Sequence, residues 1–125
     1  MSELYRRGLK EITRIDPERG AELVRELKKI SPDFAEYFVE FAFGTIYARD
    51  VLDPKTKELI AIASLAAIGH CQNHLRTHIS AAFRAGCTKE EIVEVIIQSA
   101  VYVGFPSALS ALKLVKDFFD KRRKP

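Results

Sequence analysis

Three pairs of a small polar residue followed by proline constrain the fold of this 125-residue chain more than any other feature. The pairs are Asp16-Pro17, Ser31-Pro32 and Asp53-Pro54. A short polar side chain caps the first backbone N–H groups of an α-helix, and proline suits the first helical position because its missing N–H needs no partner there. Each pair therefore predicts the start of a helix.

Glycines and one further cap predict the other helix boundaries. Gly69 and Gly86 are expected to break or end helices, since glycine adopts the left-handed conformation without strain. Thr88 and Glu91 have the spacing of a capping box, and a turn at 104–106 precedes the last helix. Glycine and proline are scarce, at six and five copies, and strand-like alternation is hard to find. The sequence therefore predicts an all-α fold of about six helices.

Apolar residues at helical spacing predict which faces are buried. The predicted inward residues are Leu4, Leu9 and Ile12, then Leu23, Val24, Leu27 and Ile30, then Phe34, Tyr37, Phe38, Phe41 and Phe43, and finally Ile92, Val95, Ile96 and Ala100. The aromatic group is interpreted as core packing, with a subunit interface as the alternative. The helix from Lys55 to about Ile68 is apolar all round after Glu58, which is typical of a central helix.

Length and composition fit one soluble domain over residues 1–125. The net charge of +3 comes entirely from the last helix and the tail 121–124, because residues 1–112 carry 14 Lys or Arg against 15 Asp or Glu. No aromatic or glycine motif accompanies the tail, so a solvated helix end is favoured over a nucleic-acid arm. The longest apolar run, 59–68, is too short to cross a bilayer.

The two cysteines do not form a disulfide framework, and the N-terminus lacks the charged-then-apolar pattern of a signal peptide. A reducing compartment is expected for such a chain. The sequence therefore predicts a cytoplasmic protein that binds neither nucleic acid nor membrane.

The nine residues from His70 to His78 contain all three histidines and Cys71. On a helix, Cys71, His74 and His78 share one face, because they are spaced three, four and seven residues apart. Cys71 and His78 nevertheless lie about 10 Å apart along the axis at a rise of ~1.5 Å per residue. They cannot easily share an ion with His74, so a metal site is not predicted. No other cofactor is predicted either.

Thiol chemistry and proton transfer are the reactions that these residues favour. Cys71 stands near a predicted helix start between imidazoles, which favour the nucleophilic thiolate. An inert, buried thiol is the alternative, and Cys87 is interpreted as structural. Glu58 lies at the polar end of an apolar helix, where partial burial favours proton transfer. A first-turn glutamate that only complements the helix dipole is the alternative.

A longer series of short motifs runs through residues 34–112. In chain order they are Phe43-Gly44-x-Ile46-Tyr47-x-Arg49-x-x-Leu52-Asp53, Lys57-Glu58-Leu59, Ala61 to Gly69, His78, Ala85-Gly86-Cys87-Thr88, Glu91-Ile92-x-Glu94-Val95 and Val101-Tyr102-Val103-Gly104-Phe105-Pro106. The series resembles the carboxymuconolactone decarboxylase family. The resemblance implies an all-helical, alkylhydroperoxidase D-like bundle that assembles as a homotrimer or homohexamer.

The resemblance also implies two activities. One is decarboxylation of 4-carboxymuconolactone to the enol-lactone of 3-oxoadipate. The other is a thiol-dependent peroxidase (peroxiredoxin-type) or disulfide-reductase activity that uses a Cys-x-x-Cys pair with a nearby Glu and His. His78 matches the family histidine, Glu58 the acidic residue that opens the central helix, and Cys71 the first redox cysteine. His74 takes the place of the second cysteine, so the chain has no Cys-x-x-Cys pair.

The lyase is the first predicted function. Loss of CO2 from the lactone leaves an extended enolate, which needs a proton donor and donors for the developing oxyanion. His78 is the predicted acid, Glu58 orients it or relays the proton, His74 holds a substrate carboxylate, and Tyr102 lines the pocket. Arg76 points off this face, and we expect it to contribute only across a subunit boundary.

Two alternatives remain open from the sequence. Cys71 can serve peroxide or disulfide reduction, with Cys87 as the only candidate for a resolving thiol. The protein can also be a non-catalytic helical oligomer that binds a small acid or a partner protein.

Overall fold

A computed structural model describes residues 1–123, and over that range the protein is all-helical. The α-helices are α1 (Glu3–Ile15), α2 (Gly20–Ile30), α3 (Pro32–Tyr37), α4 (Pro54–Ile68), α5 (Gln72–Arg84), α6 (Lys89–Val103) and α7 (Phe105–Arg123). A π-helical segment (Phe38–Tyr47) continues α3. The all-α prediction is confirmed, with seven α-helices in the described part where about six were expected. Of the basic tail, Lys121 pairs with Asp117 at 3.2 Å, and Lys124 lies outside the described residues.

The helices form two compact units, Met1–Leu52 and the chain from Asp53 onward. Two glycines let α1 touch the π-helical segment in the first unit. A Cβ atom built on Gly8 would lie 1.9 Å from the carbonyl oxygen of Val39, and one on Gly44 would lie 2.5 Å from that of Leu4. Only hydrogen fits at either position, so the two backbones pack directly against each other.

Of the two helix starts predicted in the first unit, one is confirmed and one is wrong. Ser31 caps α3 as expected, since its Oγ accepts a hydrogen bond from the Phe34 N–H at 3.2 Å. The start predicted at Asp16-Pro17 is wrong, because α2 begins at Gly20. The Asp16 carboxylate instead accepts from the Arg19 N–H at 3.0 Å, and this local hydrogen bond makes a turn before the helix.

The inward faces of α2 and α3 also differ from prediction. In α2, Val24 is buried but Leu23 and Ile30 are exposed. The aromatic group is not a core stripe, because Phe34, Tyr37 and Phe41 are all more than half exposed. The π-helical segment begins at Phe38, so it bears on the error at Phe41, whereas Phe34 and Tyr37 lie before it on α3.

A π-helix bonds i to i+5 and so departs from the 3.6-residue period on which the prediction rests. The Ala48 N–H donates to the carbonyl of Phe43, five residues back, at 3.0 Å. The buried residues Ala35, Val39 and Gly44 follow that spacing, four and then five residues apart.

The second unit, which contains α4 to α7, follows the prediction closely. Asp53 caps α4 by accepting from the Thr56 N–H at 2.8 Å, and Thr88 forms the full capping box with Glu91 at the start of α6. Gly69, Gly86 and Gly104 all have positive φ values at helix ends. The core consists of Ile62, Ala66, Leu75, Ile79, Ala82, Cys87, Ile92, Ile96, Ala108, Ala111, Leu114 and Val115.

The predicted inward positions of α6 are confirmed, since Ile92 and Ile96 are fully buried and Val95 and Ala100 pack against the core. Among the described residues, each helix falls short of the length and apolar character that a bilayer crossing requires.

Candidate functional site

Glu58 is the one charged residue that is completely buried in the described part of the chain. The cap at Asp53 fixes where α4 starts, and Glu58 follows one turn later, facing into the second unit rather than solvent. A carboxylate removed from water is stable only when it is hydrogen-bonded or paired. Its burial therefore requires a specific partner.

That partner is His78, near the middle of α5. Gly69, with φ of +83°, ends α4 and lets the chain turn back into α5. The Nδ1 atom of His78 lies 2.7 Å from Oε1 of Glu58, and the His78 side chain is 16% exposed. Because an ionised carboxylate can only accept, Nδ1–H donates to Glu58 when the glutamate is charged. The helices thus hold one imidazole in a fixed orientation at the edge of the core.

This arrangement suits proton transfer. A carboxylate on Nδ1 fixes the tautomer of an imidazole and stabilises its protonated form. The second ring nitrogen, Nε2, is then the atom that can exchange a proton with a substrate. A buried carboxyl–imidazole pair in an all-helical unit is therefore the defining feature of this site.

Cys71 and His74 lie elsewhere, at the start of α5. Residues 69–74 and Arg76 line an open space of about 500 Å³, which we call the polar recess. Cys71 is the N-cap residue of α5 and is partly buried, with its Sγ 3.7 Å from Nδ1 of His70. His74 is exposed. The structure thus brings Cys71 and His74 together, but neither is in hydrogen-bond contact with the Glu58–His78 pair.

Arg76 lines the polar recess together with Cys71 and His74 of the same chain. Its Nη1 donates to the Asn73 side-chain oxygen at 3.0 Å. Its contribution across a subunit boundary stays a prediction.

The two thiols are far apart. Cys71 precedes α5 and Cys87 follows it, so the 13 residues of the helix separate them by about 20 Å at ~1.5 Å per residue. Cys87 is 2% exposed, and its thiol donates to the Lys55 carbonyl at 3.7 Å. Burial, followed by the nearby Glu91 carboxylate, raises the pKa of the Cys87 thiol. Within one chain Cys87 cannot resolve an oxidised Cys71.

Tyr102 is 88% exposed on α6 and is not among the residues that line the polar recess. No group of three or more His, Cys, Asp or Glu side chains with the proximity of a metal site occurs among the described residues.

Sequence reasoning missed one feature, a space of about 200 Å³ between α4, α5 and α7, which we call the apolar chamber. Its polar groups include Ser107 and Ser110 of α7. Isolated serines in an apolar helix carry no sequence signal, so only the packing of three helices reveals them.

Comparison with known proteins agrees with this description. The model of the carboxymuconolactone decarboxylase family matches residues 32–117. The 4-carboxymuconolactone decarboxylase of Acinetobacter baylyi is 32% identical over 116 residues, which cover 92% of this chain and 86% of that protein. The nitrosuccinic acid decarboxylase npaB of Metarhizium robertsii is 31% identical over 129 aligned positions, covering 95% and 89%.

An uncharacterized 15.0 kDa protein from the nqo9-nqo10 intergenic region of Paracoccus denitrificans is 31% identical over 97 residues, covering 77% and 72%. The chain belongs to the carboxymuconolactone decarboxylase family, and the resemblance noted in the sequence is confirmed.

Proposed function

We propose that the protein is a lyase that decarboxylates a small carboxylated lactone, with His78 as the general acid and Glu58 as the residue that positions it. One observation carries the proposal: the 2.7 Å contact between His78 Nδ1 and a carboxylate that is fully buried. Such a pair holds the imidazole ready to donate from Nε2. Two relatives named as decarboxylases support the reaction class.

The reaction has two parts. The C–C bond to the substrate carboxylate breaks, CO2 leaves, and the electron pair passes into the lactone conjugation to give an enolate. Protonated His78 then transfers its Nε2 proton to carbon, and the imidazole regains a proton from solvent. Glu58 keeps the ring aligned for the transfer.

The names of the two relatives indicate what the substrates share. A carboxylated lactone and nitrosuccinic acid have different skeletons. Each nevertheless contains its own electron sink, a conjugated lactone or a nitro group, that can accept the electron pair left by CO2. The protein then needs to supply only an oriented acid and binding groups. His74 lies one turn before His78 on α5 and is proposed to bind a second substrate carboxylate. Tyr102 is proposed to line the substrate pocket.

The test is CO2 release from 4-carboxymuconolactone. His78→Ala is expected to lower kcat by about 100-fold or more, the usual contribution of a general acid. Glu58→Gln keeps the size and a hydrogen bond but removes the charge, so kcat is expected to fall while the fold persists. Full turnover by His78→Ala would rule out the proposed acid.

Cys71 supports a second candidate, thiol-dependent peroxide reduction, because it borders a recess that is open to solvent and lies beside His70. The thiolate would attack the peroxide O–O bond, giving a sulfenic acid and an alcohol. A thiol from another molecule would then reduce the sulfenic acid, since Cys87 lies at the other end of α5. Peroxidase activity that survives Cys71→Ser would eliminate this candidate.

Self-association as a homotrimer or homohexamer is part of the proposal. No charged residue occurs between Glu94 and Lys113, yet this stretch exposes large apolar side chains. These are Ile97, Val101, Tyr102, Phe105 and Leu109, each about half exposed or more. Exposed apolar patches of this kind mark association sites. Sedimentation equilibrium is expected to give the mass of three or six chains, and Tyr102→Lys with Phe105→Lys to lower it.

A further inference from the structure

The apolar chamber and the polar recess adjoin at the start of α5. The chamber is lined chiefly by Leu65, Ala66, Leu75, Pro106, Ala111 and Leu114. Gly69, Cys71 and Gln72 line both spaces. The two spaces therefore lie next to each other, and Cys71 borders both.

The chamber has the character of a small-molecule site. Its walls are mostly apolar, with Gln72, Ser107 and Ser110 as a few polar groups, which is the usual composition of a ligand pocket. Its volume of about 200 Å³ is smaller than the pockets that take drug-sized ligands, which span roughly 300–1,000 Å³. The ligand body is thus compact.

The side chains around the two spaces favour a negatively charged ligand. Neither lining contains an Asp or Glu, and the sequence from Leu59 to Lys89 has none at all. The recess contributes His70, His74 and Arg76. A guanidinium group binds a carboxylate through paired N–H donors, and the bond from Arg76 to Asn73 holds that group in place.

We propose that the chamber and the recess together bind a compact monocarboxylic acid, with its apolar body in the chamber and its carboxylate in the recess. Neither Glu58 nor His78 lines either space. Glu58 also precedes Leu65, the first chamber residue of α4, by seven residues, or about 10 Å along the helix at ~1.5 Å per residue. Binding here needs no decarboxylase activity, although the recess shares His74 with the proposed active site.

Benzoate is the probe, and its binding is followed by calorimetry and by the rate of Cys71 alkylation. Calorimetric titration of the full chain is expected to give a dissociation constant of about 1 mM, the affinity of a ligand of this size. Saturating benzoate is also expected to slow alkylation of Cys71 by iodoacetamide at least fivefold, because Cys71 borders both spaces. Benzamide has the same body without the charge and is expected to bind at least tenfold more weakly.

Two variants locate the site. Ser110 is exposed at the chamber rim, so Ser110→Leu fills the opening without entering the core and is expected to weaken binding at least tenfold. Ser64→Leu, an exposed serine of α4 that lines neither space, is the matched control. Arg76→Gln is expected to weaken binding severalfold at low salt, and circular dichroism checks that each variant is folded.

His78→Ala separates this site from the proposed active site. It is expected to bind benzoate within twofold of the wild type, whether or not it releases CO2. Benzoate that leaves Cys71 alkylation unchanged, equal affinity in wild type and Ser110→Leu, or loss of binding in His78→Ala would each overturn the proposal.

Discussion

The Glu58–His78 pair, which joins α4 to α5, and the turn around Cys71 and His74, at the start of α5, have different surroundings. Glu58 is completely buried, the His78 side chain is 16% exposed, and a 2.7 Å contact joins them. His74 is exposed, and Cys71 borders an open recess. One helix, α5, thus carries both a histidine held by a buried carboxylate and exposed side chains, because burial changes along its length.

Removing Glu58 is expected to give the largest effect. Glu58→Ala leaves His78 without its buried partner and opens a void, so we expect a loss of about 3 kcal/mol in the free energy of unfolding. Cys71→Ala, in the open turn, is expected to stay within about 0.5 kcal/mol of wild type. Urea unfolding of both variants measures the difference, and equal losses would abolish the distinction between the two regions.

The second prediction separates the two histidines by their kinetics. His78→Gln is expected to lower kcat for CO2 release by about 100-fold, because it removes the proton donor. His74→Gln is expected mainly to raise KM, because His74 is proposed to bind a substrate carboxylate and to take no part in proton transfer. A steady-state comparison decides, and a lower kcat with unchanged KM in His74→Gln would show that the turn is part of the chemistry.

The third prediction concerns the thiols. Cys71 borders solvent, whereas burial and the Glu91 carboxylate raise the pKa of Cys87. Iodoacetamide is expected to modify Cys71 about 100-fold faster, as followed by mass spectrometry of the two peptides. Diamide is expected to yield no disulfide within one chain, and such a bond would contradict the separation along α5.

The smallest effect is expected at an exposed pair. Lys55 Nζ lies 3.3 Å from a carboxylate oxygen of Glu91, and both side chains are about two-fifths exposed. The Thr88 N–H, followed by Lys55, lowers the pKa of Glu91 below its ordinary value of 4.5. A lowered folded-state pKa means that this stabilisation is fully present above pH 4.5 and is lost as the pH falls through the folded value.

Glu91→Gln is therefore expected to lower Tm slightly at pH 7, and the difference from wild type is expected to shrink below pH 4.5. Glu90→Gln, one residue earlier in the same turn, is the matched control and should change Tm less. A Tm difference between wild type and Glu91→Gln that stays constant from pH 7 to pH 3 would exclude this ionic contribution.

The sequence predicted the second unit well because its signals are local. The caps at Asp53 and Thr88 and the glycine at 69 each act within one turn of helix, and all were found as expected. The same kind of signal failed at Asp16, where a local turn competes with the cap and delays α2 to Gly20. Proline after a polar residue thus marked the first residue of a helix at two of the three pairs, and a turn before the helix at the third.

The rest of the site depended on packing. Spacing put Cys71, His74 and His78 on one face but could not show that Glu58 is fully buried against only one of them. Likewise the π-helical segment changes which residues face inward from Phe38 to Tyr47. A prediction based on the α-helical period does not anticipate this change. Three-helix packing, rather than any motif, creates the apolar chamber.

The close approach at Gly8 and Gly44 has a consequence for mutational tolerance. A library that samples all amino acids along α1 should show a sharp minimum at position 8, because even alanine places Cβ 1.9 Å from a carbonyl oxygen. The exposed neighbour Arg7 should accept nearly every residue. Sequence change in α1 is therefore expected to be tolerated on its exposed side, and least tolerated at Gly8 on its buried side.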